Sequence, residues 1–69
     1  MNKESAQQLI GTYYQPLITA QKNHLLKKKN EIIKSDLEQI ILDIEVQAVE
    51  KEIMENEKAV QQISRRWKI

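Results

Sequence analysis

Cysteine and phenylalanine are absent from this sequence, and glycine, proline, histidine and tryptophan occur once each. Without cysteine there is no disulfide. With His24 as the lone nitrogen ligand there is no set of the four nitrogen or sulfur donors that a structural zinc site takes. Long apolar runs are lacking too: the longest aliphatic run is Ile40, Ile41, Leu42, and "MNKESAQQLIGTYYQP" has no stretch resembling a signal peptide or a membrane span. The expectation is a soluble, cytoplasmic chain with no membrane partner. A core built from 69 residues rarely supplies more than about 3 to 5 kcal/mol. With disulfide and metal excluded, association with another chain is the remaining support.

What is present is 41% hydrophobic and 30% charged residues, a composition within the range of folded proteins and enough for one domain. Gly11 and Pro16 are the only two strong helix breakers, so Leu17 to Ile69 contains neither. That stretch is filled with Leu, Lys, Glu, Gln and Ile and predicts helix. A single rod of that length would reach about 80 Å and leave its whole apolar face to other chains. A turn at "KKKNEIIKS" lets the chain fold back on itself. Asn30 is an acceptable N-cap, and "SDLE" at Ser35 to Glu38 matches the capping box. The fold predicted is therefore all-α: a helical hairpin with a kinked first helix (about 3–28), a basic turn (about 28–35) and a long second helix (about 35–66), self-associating into a small bundle or coiled coil.

In the first helix the apolar positions come in adjacent pairs, Leu9 and Ile10, Tyr13 and Tyr14, Leu17 and Ile18, Leu25 and Leu26, forming one broad stripe. Pro16 inside it predicts a kink or a fresh helix start, with "TYYQ" at Thr12 to Gln15 a weak capping box.

The second helix has two apolar faces. At 100° per residue Ile33, Leu37, Ile40, Ile41, Ile44 and Ala48 fall on one side, whereas Leu42, Val46, Val49, Ile53, Val60, Ile63 and Trp67 cluster about 140° away. Drift of a heptad repeat is only about 20° per heptad, so the faces imply two separate contacts, the alternative being a helix break near Glu45 after which both segments face one core. The expectation is that Leu37 to Ile44 packs on the first helix of the same chain. Leu42, Val46, Val49, Ile53, Asn56, Val60 and Ile63 would form a seam with a second chain, a dimer favoured, with Asn56 as the polar residue that fixes register.

Net charge is +1, but its distribution is uneven: Met1 to Lys34 carries +4, Ser35 to Ser64 has eight acidic and two basic residues, and Arg65, Arg66 and Lys68 close the chain. An antiparallel pair crossing near Gln39 to Ile41 would set the lysine run of one copy beside Glu50 to Glu57 of the other.

No constellation for catalysis emerges. His24 has no acidic neighbour three or four positions away to orient it, "EKEIMENE" reads as a solvated face, and phosphate loops, nucleophile elbows and metal spacings are missing. No enzyme activity, cofactor or metal is expected. The tail "ISRRWKI" is the most partner-like segment: Arg65, Arg66, Trp67 and Lys68 are residue types that anchor interfaces or favour a helix C-terminus. The function expected is a small non-enzymatic protein-binding module, a regulator, adaptor, chaperone or inhibitor of the kind found in bacteria or phages. The alternative is a dimeric nucleic-acid-binding hairpin using Lys22, Lys27, Lys28, Lys29 and Lys34 on phosphates.

Overall fold

A computed structural model describes all residues Met1–Ile69, and they form only helices and short connections. The first arm consists of α1 (Lys3–Leu9), a π-helical turn (Ile10–Tyr14) and α2 (Gln15–Lys29); α3 (Asp36–Trp67) is the second arm. No helix is long and apolar enough to cross a membrane.

Local chemistry sets each boundary. Asn2, in extended backbone, starts α1 by accepting a hydrogen bond from the Ser5 N–H at 2.8 Å. The π-turn answers Pro16: proline has no N–H to give and its ring crowds the carbonyl four residues back, so a wider turn precedes it. Gln15 N–H bonds the Ile10 carbonyl, five residues back. Helix therefore continues from α1 into α2 without a fresh start. The weak capping box at Thr12 to Gln15 does not form; the Thr12 hydroxyl donates backwards to the Gln8 carbonyl at 2.6 Å.

Lys27, Lys28 and Lys29 occupy the last turn of α2, where positive charge suits the negative end of the helix dipole. Asn30 proves to be the C-cap of α2 and not an N-cap. The Ser35 hydroxyl accepts from Glu38 N–H at 3.2 Å, and the Glu38 carboxylate accepts from Lys34 N–H at 3.2 Å, a capping box displaced by one residue on its return bond. At the far end Lys68 turns left-handed, with φ 55°, and Ile69 N–H closes onto the Ser64 carbonyl at 2.9 Å.

The arms lie side by side and antiparallel. Lys28 meets Glu45 near the turn, Gln21 meets Asn56 further along, and Lys22 meets Glu57 beyond it. Between them only Ala6, Ile10, Leu42 and Ile53 are buried, and no large side chain is wholly sealed from water. The molecule measures 51 × 16 × 13 Å, with a radius of gyration of 15.7 Å against about 11 Å for a compact chain of its length.

The assignment of the two α3 faces is the reverse of the sequence expectation. Leu42 and Ile53 are buried against the first arm, and Val46, Val49, Asn56, Val60, Ile63 and Trp67 are half-buried on the same side. Leu37, Ile40, Ile41 and Ile44, expected to pack on the first arm, are 67%, 57%, 48% and 63% exposed. Length is the physical reason. The first arm extends roughly 40 Å along α3, and only the stripe running from Leu42 to Trp67 is long enough to accompany it; the Leu37–Ala48 stripe spans about 17 Å.

Candidate protein-docking surfaces

The inner contact combines apolar packing with one polar crosslink. Asn56 donates its side-chain N–H to the side-chain amide oxygen of Gln21, Oε1, at 3.1 Å, part-buried between the arms. Sequence reasoning singled out Asn56 as an inward polar residue but missed Gln21. The signal was there: the apolar pairs of the first arm skip the Gln21–Lys22 step, which lies level with Asn56 and Glu57.

Ion pairs flank this contact. Lys28 bonds the Glu45 carboxylate and has Glu31 at 3.9 Å. The hydrogen bond to Glu45 raises the Lys28 pKa above the ordinary lysine value; partial desolvation opposes the shift, and the charges of Glu45 and Glu31 add to it. Lys22 sits 3.7 Å from Glu57, both about half exposed, so water screens that pair heavily. Lys22 and Lys28, two of the five lysines offered as a nucleic-acid patch, are thus engaged with carboxylates. Lys27, Lys29 and Lys34 form no ion pair.

The second surface is the open side of α3: Leu37, Ile40, Ile41 and Ile44, with exposed Ala48 continuing the row. Ile32, in the turn, is 87% exposed. Exposed isoleucines scattered singly are ordinary; these lie together on one helix face.

The third surface is the far end. Arg66 places its guanidinium 5.6 Å from the centre of the Trp67 ring, a cation–π contact. Trp67 is half-buried, while Arg65, Arg66 and Lys68 are exposed. Beside them Tyr14, Ala59, Gln62, Ile63 and Arg66 line an open cleft. Tyr14 also meets the ring of Tyr13 edge-on at 4.9 Å. Sequence reasoning gave both tyrosines to the apolar stripe, yet Tyr13 is 55% exposed.

His24 is exposed on α2, and no three His, Asp or Glu side chains converge as a metal ion requires. Comparison with protein-family models, with curated proteins and with solved structures finds no match for this chain, so its surfaces are interpreted from their own chemistry.

Proposed function

We propose that this chain is a non-enzymatic helical hairpin that works in the cytoplasm by docking its helical surface on protein, as a small regulator, adaptor, chaperone or inhibitor does. The observation that carries the proposal is the balance of apolar side chains: four buried hydrophobic residues against ten large ones left exposed, four of them in the Leu37–Ile44 row. A chain of this size gains little from its own interior, and covering such a row by protein supplies what is missing. The surface offered to a different protein is the Arg65–Lys68 end, where an indole and two guanidinium groups stand together and bring apolar area and forked hydrogen bonds.

The competing function, phosphate binding on nucleic acid, draws on Lys27, Lys29 and Lys34 alone, with no arginine or aromatic side chain among them for base stacking. The test is capture of partners by the tagged full chain after nuclease treatment, alongside titration with single- and double-stranded oligonucleotides. Protein capture that survives nuclease and is lost in Trp67→Ala supports the proposal. Tight oligonucleotide binding that weakens steeply with salt and disappears in Lys27→Ala/Lys29→Ala/Lys34→Ala would replace it with the competing function.

A further inference from the structure

We infer that the open row on α3 is covered by a second copy of this chain, with the two α3 helices antiparallel and the two-fold axis passing between Ile41 and Ile44. The inference rests on the protein-docking function and names the occupant of one of its surfaces.

The geometry of the row points to itself. Leu37, Ile41, Ile44 and Ala48 are separated by four, three and four positions, a spacing that is unchanged when the order is reversed. A reversed copy laid on it sets Leu37 against the partner's Ala48 and Ile41 against the partner's Ile44, and the two-fold axis repeats both contacts. Each end then has a large side chain opposite a small one, and the centre has branched side chains facing each other. This is the alternation that lets knobs enter holes. An isologous contact requires a patch complementary to its own rotated image, and the spacing of these four positions is.

Area and charge favour the same occupant. The single chain exposes 5526 Å², whereas a compact monomer of 8.2 kDa exposes about 4,500 Å². The surplus, on the order of 1,000 Å², is comparable to the roughly 800 Å² each partner gives to a stable dimer. In the antiparallel register Glu52 and Glu55, which follow the row along α3, come level with the partner's turn, where Lys29 and Lys34 have no carboxylate of their own, and these two carboxylates outnumber the one cation between Ala48 and Glu55, Lys51. A parallel register would bring the two lysine-rich turns together and the two acidic segments together, which like-charge repulsion disfavours.

Sedimentation equilibrium of the full chain at tens of micromolar tests the stoichiometry, and the expected mass is twice 8.2 kDa. Ile44→Glu puts a charge at the axis and Ala48→Arg fills the pocket for Leu37. Both positions are exposed in the single chain, so each variant should keep its helical circular dichroism and sediment as a monomer. A spin label on Gln61→Cys reads the orientation: the antiparallel dimer places the two labels about 55 Å apart, a parallel one within about 20 Å. A monomeric wild type, a dimer that survives both substitutions, or a short label distance overturns the inference. None of these measurements involves another protein, so their failure is separable from a failure of Trp67-dependent capture.

Discussion

Asn56 and Gln21 share a hydrogen bond at the one step where the apolar pairing of the first arm is interrupted. Removing one partner leaves the other half-desolvated and unpaired, which costs more than the bond contributes net. Asn56→Ala should lower unfolding free energy by about 1 to 2 kcal/mol in urea titration. Asn56→Leu combined with Gln21→Leu should recover that loss or exceed wild type, because an apolar pair replaces a polar one. A double variant as weak as Asn56→Ala would show that an apolar pair cannot replace this hydrogen bond.

Ile53 lies between the arms at 6% exposure, whereas Ile44 is 63% exposed. Ile53→Ala should cost about 2 to 4 kcal/mol of folding stability, an effect intrinsic to the single chain. Ile44→Ala should change the stability of the isolated chain little. Denaturation at a concentration low enough to hold the wild type monomeric distinguishes them, and equal losses would contradict the face assignment.

The Lys28 pKa is raised, because its ammonium form donates to Glu45. A group whose folded pKa is raised adds stability that is fully present below its unfolded value. That contribution fades as pH climbs through the folded value. Thermal midpoints should therefore show the Lys28 contribution intact at neutral pH and falling only above the ordinary lysine value of 10.5. Lys28→Met, which lacks the titrating group, should be less stable than wild type at pH 7, and the gap should narrow at high pH. A gap that widens there would exclude this pairing as its source.

Gly11 and Lys68 are improvable backbone positions of opposite kinds. A methyl group on Gly11 would meet nothing within 4 Å and its φ is not positive, so Gly11→Ala should stabilise by about 0.5 to 1 kcal/mol. Lys68 is the only non-glycine residue with positive φ, at 55°, and Lys68→Gly should stabilise the end of α3 by up to about 1 kcal/mol. Swapping the substitutions' logic, Lys68→Ala should gain nothing. Calorimetric midpoints settle all three.

Much of this architecture could be read from local chemistry. The Ser35–Glu38 cap and the helical character of Leu17 onward rest on contacts within four residues, and both α3 faces follow from the angular positions of their side chains. The inward choice between the faces was not legible, because both are apolar and the decision lies with the length of another element. The π-turn was hidden for a related reason: Pro16 announces a disturbance, but whether the helix breaks or widens depends on Ile10 and Ala6 being held against α3. At the candidate docking end the residue types were evident in Arg65–Lys68, while the neighbouring Tyr14 cleft required the arms to be placed side by side.

The sparse interior described for the two arms bears on how this protein meets hydrostatic compression. Pressure unfolds proteins by eliminating internal voids, and a molecule in which no large side chain is fully enclosed has few to eliminate. Its unfolding volume change should accordingly lie near the small end for domains of its size, and compression should shift its folding equilibrium less than that of a thicker globule.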